Sequence, residues 1–294
     1  MQSVFARAGV VASLVFVVLL PAVSTAQETA TQETAAAKDV GGSASVDDFI
    51  RTDSGALSKG NLILGTATIP DYIGSDDYQL VPMIISNFKL GNAEFVFEGT
   101  GTRIDIFQDP VLEFGPVLNL SLPRGGVESD RVNRLGDVDA SLEVGLYAGF
   151  AFPYGNLPEG ELNGYIAARR SVTGGNDGAL LIGLIEYFWA VKYFLRVGVN
   201  VSATYADSNY METHFNVSET ASALSGLPAF DANAGLRDVA VSAYSILSFS
   251  RRWGLFGRVL ASRLTDDAAD SPLVTEEGSP EQYFGGVGLF INFY

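Results

Sequence analysis

The side chains able to do chemistry are few. There is no cysteine and one histidine among 294 residues, so thiol nucleophiles, thiolate metal sites and disulfides are excluded. A serine hydrolase would need that histidine, His214, fixed beside its nucleophile. It falls instead in the long connection Ala206 to Arg237, and no serine or orienting acid is marked out by spacing. The expectation is a solvated loop histidine in a chain that is not an enzyme. Asp71, Asp76 and Asp77 about Gly74 offer oxygen ligands to calcium, but their spacing departs from the EF-hand pattern and hard cations take six or more oxygens. A turn with aspartate capping is expected, without metal or cofactor.

A second group of charged residues has a pattern. Arg103, Asp105, Glu113, Asp139, Glu143, Glu161, Arg169, Lys192 and Arg196 lie on the polar side of segments that alternate with period two. From Val138 to Phe152 every even residue is apolar, while Asp139, Ser141 and Glu143 occupy odd positions. From Lys192 to Tyr205 the apolar side runs Tyr193, Leu195, Val197, Val199, Val201, Ala203, Tyr205, with an aromatic at each end. Read this way, the chain has twelve strands, near 61–69, 78–89, 93–98, 102–107, 111–121, 137–151, 161–172, 179–187, 192–205, 238–249, 254–264 and 282–294. The shortest are the pair between 93 and 107.

The composition is 47% hydrophobic and only 18% charged, with mean hydropathy +0.21, oily for a water-soluble domain. Past residue 60 no apolar run reaches the 18 residues of a spanning helix. A membrane protein of this kind must therefore cross as a closed antiparallel β-barrel. The rival is a soluble sandwich or barrel with its apolar face inward. Strands of about 11 residues, aromatic ends, and the terminal run Phe290-Ile291-Asn292-Phe293-Tyr294 favour the membrane. The charges on the polar side then either line a water channel or pair across a filled lumen, because a Lys or Arg facing lipid at mid-depth costs roughly 2–4 kcal/mol. Acidic residues number 34 against 18 basic, for a net charge of −16, which argues against nucleic acid as a partner.

Residues 1–26 read as a secretory signal peptide. Arg7 precedes an apolar run from Val10 to Leu20, followed by Pro21 and the small residues Ser24-Thr25-Ala26. Cleavage is expected between Ala26 and Gln27. Residues 27–59, rich in Ala, Thr, Ser and Gly, have no sustained period and read as a flexible periplasmic leader. Residues 60–294 form the barrel. Connections alternate between short (Gly91-Asn92, Gln108-Asp109-Pro110, Ser250-Arg251-Arg252) and long (Pro123 to Gly136, Ala206 to Arg237, Thr265 to Glu281), as periplasmic turns and external loops do. The longest loop holds Tyr205, Tyr210, Met211, Phe215, Leu224, Leu227 and Phe230. It forms either an adhesive surface or a loop folded on itself, with a helical turn through 220–225.

Pro70-Asp71-Tyr72-Ile73-Gly74-Ser75-Asp76-Asp77-Tyr78 resembles the first-loop pattern P-x-Y-x-G-S-x-x-Y of the MipA/OmpV family. Leu135 to Asp139, Tyr205 to Met211 with Ser225 to Pro228, Gly235 to Val239, and Ser262 to Leu264 with Asp267 to Pro272 follow in that family's order. The resemblance covers about 58–294 and centres on Pro70, Tyr72, Gly74, Ser75, Asp77 and Tyr78. It implies a twelve-stranded barrel in the outer membrane of a Gram-negative bacterium, in contact with outer-membrane lipid and without catalytic residues. It further implies a scaffold or structural protein linked to a murein lytic transglycosylase and a murein synthase. A narrow porin-like channel for small solutes is the alternative, and a surface adhesin the third.

Overall fold

The computed structural model describes residues 60–293 apart from 108, 155–159 and 175–177. The expected signal peptide, its Ala26–Gln27 junction, the leader and Tyr294 lie outside the described residues.

Twelve strands close into one antiparallel barrel in chain order, with the first hydrogen-bonded to the last. They are β1 (Gly60–Pro70), β2 (Tyr78–Leu90), β3 (Ala93–Glu98), β4 (Gly101–Asp105), β5 (Leu112–Ser121), β6 (Ser141–Tyr154), β7 (Gly160–Ser171), β8 (Ala179–Lys192), β9 (Leu195–Ala206), β10 (Gly235–Ser248), β11 (Trp253–Leu264) and β12 (Glu281–Asn292). Five short helices occupy the long connections: α1 (Asp130–Asn133), α2 (Ser208–Phe215), α3 (Glu219–Ser225), α4 (Asp266–Asp270) and α5 (Pro272–Thr275). No described helix is long and apolar enough to cross a membrane. Closure matters because backbone groups have no water to bond within lipid, so a spanning sheet can have no free edge.

Period-two alternation decides what each face meets. Leu64, Leu146, Ile166, Ile185, Val201, Val241, Val259 and Val287 are exposed on the outer wall, where lipid covers them. Tyr78, Tyr205 and Tyr283 stand on that wall near the end of the barrel with the long loops, while Phe249 and Trp253 mark the other. Those two rings match the interfacial girdles of outer-membrane barrels. Inside, Ile63, Ala67, Met83, Ile246, Phe256 and Phe290 pack together on adjoining strands.

Two strand edges differ from those expected, through backbone pairing. β6 begins at Ser141 rather than 137, because Val138 is drawn into a backbone bridge with Arg124 inside the loop. β8 runs on to Lys192, past the expected 187, with a register shift between Ala190 and Lys192. The seam is tight at Gly65, where a Cβ would sit 2.0 Å from the Val287 carbonyl of β12. Gly65→Ala is therefore expected to cost about 1–3 kcal/mol, read as a lower temperature for loss of heat-modifiable gel migration; an unchanged temperature would contradict so close an approach.

Candidate functional site

The long connections form a single folded cap over one mouth of the barrel. Its anchor is the loop between β1 and β2. The Tyr72 hydroxyl donates toward the Leu273 carbonyl at 3.2 Å and the Glu277 carbonyl at 2.6 Å. Gly74 takes φ +100°, a conformation that a side chain strains, and its N–H donates to Gln282 Oε1 at 3.1 Å. The Gln282 amide in turn donates to the Ser75 carbonyl at 3.0 Å. Ser75 is buried and its hydroxyl accepts from the Asp77 N–H, while the Tyr78 hydroxyl accepts from the Tyr283 N–H. Pro70 pairs with Tyr78 at the top of the hairpin. The first-loop motif is thus a latch onto the β11–β12 connection.

The other loops lock onto it. Ser129 caps α1 and its hydroxyl reaches Glu277 at 2.6 Å. Arg131 meets Glu277 at 2.6 Å and Glu276 at 2.9 Å, and donates to the Ser225 and Gly226 carbonyls. Ser271 Oγ donates to the Phe215 carbonyl at 2.7 Å in the buried interior. Two apolar clusters fill the space: Leu180, Ala206, Tyr210, Met211, Phe215, Leu264 and Val274 form one, and Tyr72, Val127, Val132, Val217, Leu227 and Leu273 the other. Of the aromatic and aliphatic residues noted in the longest loop, Tyr210, Met211, Phe215 and Leu227 are buried here, and α3 covers the anticipated helical turn. Tyr205 and Leu224 remain exposed.

His214 corrects an expectation. It is not solvated: it lies on α2, its ring centroid 4.3 Å from that of Tyr210, and its carbonyl accepts from Arg124 at 2.9 Å. Burial, with the guanidinium groups of Arg124 and Arg237 nearby, holds its pKa down at about 3, so the ring is neutral. Its isolation in sequence gave no hint of this, because the helix that buries it is folded by residues from four loops. Asp71 bonds the Glu128 N–H through Oδ2 at 2.9 Å, and its own N–H donates to the Asp77 carbonyl. Among the described residues no group of carboxylates and histidine is arranged to hold a metal ion.

The charged residues named from alternation separate by position. Arg103, Asp105, Glu113, Glu143, Glu161, Arg169 and Arg196 sit on inward-facing positions of β4 to β9. Asp139 does not: it is exposed in the β5–β6 loop, left there by the later start of β6. Lys192 is exposed at the end of β8, beside the tight turn. Glu143 and Arg169 pair at 2.7 Å, and Asn119 donates to the same carboxylate at 3.0 Å. The Arg103 guanidinium stacks 4.4 Å from the Tyr165 ring centroid. Sequence reasoning omitted Glu94, Glu98, Glu186 and Arg258, which also line the lumen; they stand on the same alternating faces, so period two was the signal that finds them. Arg103, Asp105, Glu113 and Glu161, together with these four, border a cavity of about 260 Å³ below the cap.

The fold likeness extends to solved barrels. An outer membrane channel from Pseudomonas putida F1 is 9% identical, with TM-score 0.43, covering 82% of this chain and 97% of its own. The outer membrane channel DcaP of Acinetobacter baumannii is 10% identical, with TM-score 0.39, covering 82% and 99%. No curated protein matches the chain. A closed twelve-stranded wall, apolar outside and charged inside, places the protein in the outer membrane of a Gram-negative bacterium. The family model described as MltA-interacting protein MipA matches residues 62–293, the whole barrel with its latch, and the chain belongs to that family.

Proposed function

We propose that this barrel is a scaffold of the outer membrane with no catalytic activity of its own, closed to bulk solutes at its outer mouth. Its periplasmic rim and leader hold a peptidoglycan-remodelling enzyme, a murein lytic transglycosylase, with a murein synthase as the further partner. The observation that carries the closed mouth is the cap: Met211, Phe215, Leu273 and Val274 are completely buried where an open porin would have water. The family description, an MltA-interacting protein, supports the choice of enzyme.

A second reading, a narrow channel for small solutes, is favoured by the charged cavity beneath the cap. Planar-bilayer recording of refolded protein with heat-modifiable migration separates the two. Silence is expected of the scaffold, whereas regular conductance steps would promote the channel. In parallel, the barrel is expected to capture a purified lytic transglycosylase, with loss of at least half the binding on deletion of 27–59 or on Arg251→Ala with Arg252→Ala. Equal capture by all three proteins would defeat this form of the scaffold.

A further inference from the structure

The barrel wall is not of even height. β3 has 6 residues and β4 has 5, where the remaining strands have 10 to 14. β2 pairs with β3 only from Ile85 to Leu90, and the last bond beside it runs from the Gly99 N–H to the Ile84 carbonyl. Above that point Tyr78–Met83 pair with β1 alone. On the far side, β4 meets β5 at Gly101, Thr102 and Arg103, the Leu120 N–H donates to the Thr100 carbonyl at 3.1 Å, and β5 ends at Ser121. With the hairpin ending at Gly99-Thr100, β2 and β5 stand about 14 Å apart, three strand spacings, and β2 continues roughly 20 Å along its length beyond the hairpin tip. The top of the gap is bridged by the β5–β6 loop, held by the Glu128 N–H on Asp71 and by the Arg124–Val138 pair. The half of the wall nearer the cap therefore has a gap, with β2 on one side and the end of β5 and its following loop on the other.

The residues around it fit an edge rather than a sealed seam. Backbone groups of alternate β2 residues face the same way, so Pro82 and Leu80 point toward the gap as Ile84 points toward Gly99. A proline is tolerated in a strand where no partner needs its N–H. Backbone left unpaired at membrane depth is stable only where protein or water meets it, and with no strand beside Tyr78–Met83 the gap has the lumen as its nearest source of water. Its outer border is apolar: Leu80, Pro82, Leu118 and Leu122 are exposed. Its inner lip is polar, with Thr100 Oγ1 3.3 Å from Asn119 Oδ1 and Asn119 joined to Glu143. Below lies the cavity, whose lining carries the carboxylates Glu94, Glu98, Asp105, Glu113, Glu161 and Glu186 against the two guanidinium groups of Arg103 and Arg258. A lining richer in carboxylates than in guanidinium groups suits a cation, and the apolar outer border suits an organic one.

We propose that this gap above the β3–β4 hairpin is a lateral portal, through which small amphipathic organic cations pass between the outer leaflet and the lumen while the cap keeps the mouth shut. The portal stands independently of the scaffold reading. Since the chain has no cysteine, Thr100→Cys supplies one thiol for a fluorophore in proteoliposomes. Quenching is expected both by iodide from water and by lipid brominated on its acyl chains. Ile104→Cys, outward on β4, is the lipid-only reference and Asn163→Cys the water-only one. Quenching at position 100 by one agent alone overturns the portal. The second arm inserts twelve alternating residues between Gly99 and Thr100, six to each strand and about 20 Å of added height, to fill the gap, and folding is checked by heat-modifiable migration. Ethidium influx into intact porin-deficient cells is expected to fall at least threefold against the parent barrel, and equal influx overturns the proposal. Capture of the transglycosylase by the filled variant is read separately, so each idea can fail without the other.

Discussion

Acidifying the bilayer-embedded barrel from pH 7 to pH 4 is expected to loosen the outer cap, and His214→Gln is expected to resist that loosening. The folded cap keeps the imidazole neutral to about pH 3, by burial first and then by the charges of Arg124 and Arg237. An unfolded cap would take the proton near pH 6.5. The folded state therefore binds fewer protons, and its stability is whole above pH 6.5 and is lost as pH falls toward 3. Each pH unit in that window removes about 1.4 kcal/mol, so the loss by pH 4 is on the order of 3 kcal/mol. Asp267, held below the usual carboxylate range by hydrogen bonds from Asn233, acts in the same direction. Hydrogen exchange of α2 against pH measures the effect. Identical pH profiles for the parent and His214→Gln would show that the histidine does not govern the cap.

The second large effect lies in the wall. Glu143→Ala is expected to cost about 3–5 kcal/mol, because it strips the partner from Arg169 inside the barrel. Glu143 is only 3% exposed, and its carboxylate holds both Arg169 and Asn119. Removing both charges, as Glu143→Ala with Arg169→Ala, is expected to recover much of the loss, since the penalty comes from an uncompensated charge rather than from the missing bond. Urea unfolding in lipid vesicles, followed by tryptophan fluorescence, compares the two. A double variant no more stable than the single one would mean that lumen water already compensates the arginine. Glu143→Lys, which sets two cations side by side, is expected to be worse still; under the channel reading it would also shift ion preference toward anions.

Alternation was legible throughout. Val138 to Phe152 and Lys192 to Tyr205 each place one apolar face and one charged face, and both became wall strands β6 and β9. The brevity of the 93–107 pair was visible too, but not its consequence. A short hairpin leaves a gap only because β2 runs on beside it and the β5–β6 loop spans the top. Asp139 shows the limit of the pattern: it keeps the right parity yet stays in a loop, since Val138 bonds Arg124 instead of a neighbouring strand.

The sequence by itself determined the class of solvent on each face of the wall. Period two is a local property of the backbone, and the cost of a charge in lipid enforces it residue by residue. Resemblance to a family pattern, which a contiguous run of residues can carry, singled out the motif from Pro70 to Tyr78. Only the tertiary structure decided that the latch grips Leu273, Glu277 and Gln282, some 200 positions away, that His214 is buried, and that the mouth is closed. Those outcomes depend on loops made neighbours by barrel closure, and pairing across such distances leaves no periodic trace in a single chain.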